Sequence, residues 1–166
     1  MKGDTMSLEI KTFPPARLAY MRYTGPYGHP DIAMHWQRFG QWCEAQGLMS
    51  PRRRMYGLSL DNPMVTPPQE CRYDLAIEVD AKFKVKDGDA SGVAIQQFEG
   101  GRYACQPFKG TAAHIGMAWM ALFGQALPMS GLQREEKPSM EVYLEDFEID
   151  PNTFVFGCLL CVPVKV

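Results

Sequence analysis

Apolar and polar positions along the chain alternate with a period of two in some stretches and near 3.6 in others, which marks strands and helices respectively. Leu8 and Ile10 alternate up to Phe13-Pro14-Pro15, where neither proline can donate to a ladder, so a short strand ends in a turn. Residues 16–23 form a second strand. After the loop Gly25-Pro26-Tyr27-Gly28-His29, Pro30 and Asp31 suit a helix start: the missing N–H is one the first turn leaves unpaired, and the acid meets the positive end of the dipole. Ile32, Trp36, Phe39 and Cys43 fall on one face of a helix reaching about Ala45, with Gly47 as its stop. Residues 55–60 and 73–79 read as strands, separated by Asp61-Asn62-Pro63 and the rigid Thr66-Pro67-Pro68.

The second half runs through the same series. Strands are predicted over residues 93–97 and 103–109, with Glu99-Gly100-Gly101 as the turn between them. Thr111 is the predicted N-cap of a second helix ending near Leu127-Pro128, followed by a strand over residues 140–145. The apolar run over residues 154–164 is continuous enough for a strand buried on both sides. The halves also match residue by residue: Leu8 with Val93, Ile10 with Ile95, Phe13 with Phe98, Arg17 with Arg102 and Gly25 with Gly110 share one spacing. Ile32, Trp36 and Phe39 then match Ile115, Trp119 and Leu122 after a two-residue deletion.

The expectation is a single α+β domain over residues 1–166, with internal repeats over about residues 8–86 and 93–164. Met1 to Thr5 read as a loose lead-in. A half this small, laid out as a sheet with one helix, leaves a face or an edge bare. Two related halves should therefore pair about a pseudo-twofold axis, with a cleft along the seam.

One strand carries both an apolar face and chemistry. Met140, Val142 and Leu144 alternate with Glu141 and Tyr143, placing an acid beside a phenol on one side. The plain reading of that side is a wet strand face; the functional one is a pocket. A formal charge of −2, from 17 basic and 19 acidic residues, provides no global attraction to nucleic acid or anionic membrane. Five cysteines without framework spacing, and no leader pattern, predict a reduced cytoplasmic setting. No apolar run approaches the roughly 20 residues of a membrane span.

The ordered set Arg17, Thr24-Gly25-Pro26-Tyr27, Trp36, Asp61-Asn62-Pro63, Thr66-Pro67, Cys71-Arg72-Tyr73-Asp74, Gly100-Gly101-Arg102-Tyr103 and Glu141-Val142-Tyr143-Leu144 resembles the GyrI-like small-molecule-binding domains. That family includes DNA gyrase inhibitor proteins, effector-binding domains of AraC-type and MerR-type regulators, and stand-alone members. The resemblance covers residues 8 to 164. It implies a tandem, pseudo-twofold repeat of strand-helix-strand-strand units, with an antiparallel sheet, two main helices and a central cleft for amphipathic, often cationic, aromatic compounds. It also implies that Glu141 faces the ligand. The few residues ahead of the first strand leave no room for a helix-turn-helix, so direct DNA binding is not expected.

A carboxylate in an apolar cleft has its charged form disfavoured, so a cationic ligand gains by replacing lost water, and aromatic walls add cation–π attraction. The predicted walls are Tyr143, Tyr23, Tyr27, Trp36, Tyr56, Tyr73, Phe108 and Trp119. Trp36 and Trp119 sit on helix stripes where core packing competes. If the chain is an enzyme, Glu141 is its acid or base and Tyr143 steadies an oxyanion, in a hydrolase of strained electrophiles like some stand-alone members. A third reading is a gyrase-inhibitor-like interaction module, whose protein partner would be gyrase or a regulator. No serine elbow surrounds Ser59, Ser91 or Ser130, and Cys105 has no evident base. His29, His35 and His114 lack ligand spacing, so neither metal nor cofactor is expected. Cys158 and Cys161 point to opposite faces of a strand and read as core. Arg52-Arg53-Arg54 reads as a solvated loop.

Overall fold

Alternation produces one eight-stranded antiparallel sheet in the computed structural model, which describes residues 8–165 and so leaves the lead-in outside. In chain order the elements are β1 (Glu9–Phe13), β2 (Ala16–Thr24), α1 (Asp31–Ala45), β3 (Met55–Ser59), β4 (Arg72–Val79), β5 (Ala94–Phe98), β6 (Gly101–Gly110), α2 (Ala112–Ala121), α3 (Leu127–Ser130), β7 (Ser139–Tyr143) and β8 (Phe156–Pro163). The sheet order is β1-β6-β8-β7-β3-β4-β2-β5. Exchanging β1 to β4 with β5 to β8 gives the same order read backwards, which is the pseudo-twofold. Its axis passes between β3 and β7, where Gly57 lies opposite Glu141.

The halves are also laced together. β1 pairs with β6 of the second half, and β5 pairs with β2 of the first. The links Pro14-Pro15 and Glu99-Gly100 are therefore crossings between opposite edges of a curled sheet, and neither is a hairpin. They meet at the axis: a Cβ on Gly100 would stand 2.3 Å from the Phe13 carbonyl oxygen and 2.8 Å from the Pro14 carbonyl carbon. Gly100 also has φ 73°, a left-handed conformation that glycine adopts without steric cost. The curl brings Phe98 of β5 within 6.3 Å of the Tyr103 ring on β6. All eight strands contribute to the core on that face, including Leu18, Tyr56, Met140, Val142 and Cys161.

The opposite face carries the helices. Phe39 and Cys43 of α1 are fully buried on β2 and β4, as their spacing predicts, and burying Phe39 contributes about 1.5–3 kcal/mol. Gly47, with φ 75°, terminates α1, and the Leu48 N–H closes back on the Cys43 carbonyl. Thr111 is the N-cap residue of α2, as expected, with extended backbone, but its side chain does not cap and the far end of the helix departs from expectation. The Thr111 hydroxyl pairs with the His114 ring at 2.8 Å and makes no cap bond to the backbone. Pro128 does not stop the helix. A π-turn over Leu122–Ala126 shifts the hydrogen-bond register, Pro128 falls in the first turn of α3 where no N–H is needed, and Gly131 at φ 76° ends it.

The last strand starts at Phe156, because Phe154 sits exposed in a turn with φ 62°. From Leu160 onward β8 is buried on both faces: Leu160 and Val162 join Cys158 under α2, and Cys161 lies in the curled core. All five cysteines are free and buried.

Candidate functional site

Glu141 occupies the centre of β7, a strand whose five residues are all buried. With Ser139 and Tyr143 it projects toward the helix face, while Met140 and Val142 enter the opposite core. Directly across, Gly57 supplies no side chain, and that vacancy is filled from the next strand. A Cβ on Gly57 would stand 2.0 Å from the Tyr73 hydroxyl oxygen and 2.9 Å from Glu141 Oε1. Tyr73 of β4 thus reaches over β3 to the acid only because position 57 is glycine.

Three neutral donors hold the carboxylate. The Tyr73 and Tyr143 hydroxyls donate to Oε1 at 2.7 and 2.9 Å, and Trp119 Nε1 donates to Oε2 at 3.1 Å. Trp36 Nε1 donates to the Tyr73 oxygen at 3.2 Å, so one tryptophan from each of α1 and α2 converges on the acid, one through a phenol and one directly. The Trp36 and Tyr143 rings meet edge to face at 5.3 Å. Among the described residues no Lys, Arg or His side chain is bonded to Glu141. Burial pushes its pKa up, against the lowering effect of Tyr73, Trp119 and Tyr143. Burial and the adjacent carboxylate together hold both phenols well above their ordinary range.

Above this group lies a cleft of about 2340 Å³ between α1 and α2. That exceeds the roughly 300–1,000 Å³ of an ordinary small-molecule pocket. Glu141, Tyr143, Tyr27, Trp36, Tyr73 and Trp119 line it. Tyr27 is fixed at one end, its hydroxyl donating to the Arg72 carbonyl at 2.6 Å, and burial pushes its pKa up to about 12.

Three predicted wall residues lie elsewhere. Tyr56 is fully buried on the opposite side of the sheet, its hydroxyl on Glu78, because strand alternation turns it away from the Gly57 face. Tyr23 is buried under α1, donating to the Pro26 carbonyl at 2.9 Å. Phe108 packs on Phe156 in the core beneath α2. The basic run is not a free loop either: Arg52 donates to the Phe147 carbonyl, Arg53 lines the cleft, and Arg54 lies 5.7 Å from the Phe13 ring centre.

Sequence reasoning missed Gly57, Ser139, Ile115, Phe123, Phe147 and Phe156, all at the site. Ile115, Trp119 and Phe123, four apart along one helical stripe, were legible as a wall once Trp119 was placed. Phe147 and Phe156 come from the segment around residues 144–156, which has no period to read.

Among the described residues no group of three or more His, Cys, Asp or Glu could hold a metal ion, and no helix is long and apolar enough to cross a membrane.

The sequence profile of the GyrI-like small molecule binding domain matches residues 6–165. A DNA gyrase inhibitor of Edwardsiella piscicida is 30% identical over 141 residues, 85% of this chain and 88% of that one. Among solved structures, the EcmrR C-terminal domain is 14% identical with a TM-score of 0.72, covering 96% of this chain and 97% of that one. SAV2435 bound to tetraphenylphosphonium is also 14% identical, with a TM-score of 0.65 and coverage of 96% and 94%.

Proposed function

The chain belongs to the GyrI-like small-molecule-binding domain family, and from that premise we propose that it binds amphipathic aromatic cations in the inter-helix cleft, with Glu141 as the anchor. One observation carries this reading. A buried carboxylate, 8% exposed, receives three neutral hydrogen bonds and forms no ion pair among the described residues, on the floor of an aromatic cleft whose lining also includes Arg53. Neutral donors orient the acid without cancelling its charge. A cation entering the cleft pairs with that charge in a medium where pairing is strong, and leaves its own apolar groups against Trp36, Trp119 and Tyr27.

SAV2435, a protein of this fold, is bound to tetraphenylphosphonium, a cation surrounded by aromatic rings, and that supports this class of ligand. Calorimetric titration with tetraphenylphosphonium tests the reading. Saturable binding is expected for the wild type, weakened about 30-fold or more in Glu141→Gln, as befits loss of one partner of a buried charge pair. No binding to the wild type, or equal affinity in both proteins, contradicts it.

A second reading uses the same residue. The raised pKa of Glu141 suits a general acid or base, and Tyr143 stands 2.9 Å away as a donor, which fits hydrolysis of a strained electrophile. Both phenols and the Trp119 N–H are already engaged by the carboxylate, and this arrangement favours holding a charge over relaying a proton. Turnover of an electrophilic cyclic substrate by the wild type and its loss in Glu141→Gln would decide for the enzyme.

A further inference from the structure

The cleft floor carries a second polar feature that the anchor does not use. Ser139 lies on the same face of β7 as Glu141, two residues away, hence about 6.6 Å along the strand. It is 7% exposed, lines the cleft, and its Oγ has no hydrogen-bond partner among the described residues. Buried hydroxyls normally find a partner, so an orphan on a ligand-facing floor marks a place where a bond remains to be made. Ser59 stands directly opposite on β3, partly buried and also lining the cleft. Directly opposed residues of an antiparallel pair project to the same face with their Cβ atoms roughly 5 Å apart, so the two hydroxyls form one small polar spot.

The floor is therefore uneven along its length. At Gly57 and Glu141 it carries a charge; one step further, at Ser59 and Ser139, it carries neutral hydroxyls able to donate and accept, the Ser139 oxygen itself being occluded in this conformation. The cleft lining also includes Met64 and Leu132 beside the polar Asn62 and Lys137.

We propose that Ser139, with Ser59, forms a specificity subsite that selects cations bearing a neutral hydroxyl or carbonyl about one aromatic ring from the charge. The inference rests on Glu141 as the cation anchor. Rotation of Ser139 about χ1 moves its hydroxyl between staggered positions and brings it to the ligand. A wholly apolar cation occupies the anchor and leaves this spot unsatisfied; a hydroxylated one satisfies both.

A matched pair of probes separates the two claims: tetraphenylphosphonium and (4-hydroxyphenyl)triphenylphosphonium, which differ by one hydroxyl. Wild-type protein is expected to bind the hydroxylated cation about tenfold more tightly, the scale of one neutral hydrogen bond made to a buried orphan. Ser139→Ala should erase that preference, bringing the ratio of the two affinities to about one, and Ser59→Ala should reduce it in part. Equal affinity of the wild type for both cations, or a preference that survives Ser139→Ala, overturns the subsite and leaves the anchor standing. Binding of neither cation to the wild type overturns both.

Discussion

The strands on either side of the pseudo-twofold axis have the same place in the fold and opposite chemistry. β3 presents Met55, Gly57 and Ser59 to the cleft; β7 presents Tyr143, Glu141 and Ser139 in the matching order. At the axis itself the equivalent positions are also direct neighbours, and the Tyr73 hydroxyl bonded to Glu141 stands where a side chain on Gly57 would begin. A repeated fold thus supplies a symmetric frame, and the Tyr73–Glu141 pair at its axis leaves Gly57 no room for a side chain of its own.

This comparison is most severely tested by giving β3 a side chain. Gly57→Ala places a methyl within 2.0 Å of the Tyr73 oxygen. It should break the Tyr73–Glu141 bond and force repacking, destabilising the protein by about 2–4 kcal/mol in urea unfolding. A wild-type midpoint would mean the glycine is incidental. Exchanging the two residues, Gly57→Glu with Glu141→Gly, moves the acid across the axis, away from its present donors. Calorimetry should find affinity for tetraphenylphosphonium no better than in Glu141→Gln; recovery would show that the halves are interchangeable.

Tyr73→Phe removes one of three donors and strips Trp36 of its acceptor, at a cost of about 1–2 kcal/mol in stability. The smallest change is expected at a glycine with open surroundings. Gly116 of α2 lines the cleft, and a Cβ there would meet nothing within 4 Å. Gly116→Ala should stabilise by about 0.5–1 kcal/mol through helix propensity alone, read from the same unfolding curves.

The elements themselves were legible, because alternation and helical stripes record which face is buried. Phe39 and Cys43 under α1, and Met140 and Val142 opposite Glu141, follow from period alone. Strand exchange was not legible. Pro14-Pro15 and Glu99-Gly100 have turn composition whether the flanking strands pair together or diverge to opposite edges, and only tertiary curl decides between them. The repeat could have excluded Tyr56 as a wall: Gly57 aligned with Glu141 puts Tyr56 with Met140, on the core face. The repeat marks Tyr56-Gly57-Leu58 as the counterpart of Glu141 that offers no acid, but the steric role of Gly57 is visible only when Tyr73 and Glu141 are both in place. Pro128 misled because a π-turn resets the register ahead of it.

The pH dependence of cation binding tests the unpaired acid most directly. Burial raises the pKa of free Glu141, so part of the population is protonated at pH values where an exposed glutamate would be fully ionised. A permanent cation binds the ionised form, so affinity for tetraphenylphosphonium should rise as pH is raised through that pKa and then level off. In Glu141→Gln it should be weak and flat across the same range. PH-independent wild-type binding, or a slope that persists in Glu141→Gln, would contradict the assignment of Glu141 as the anchor.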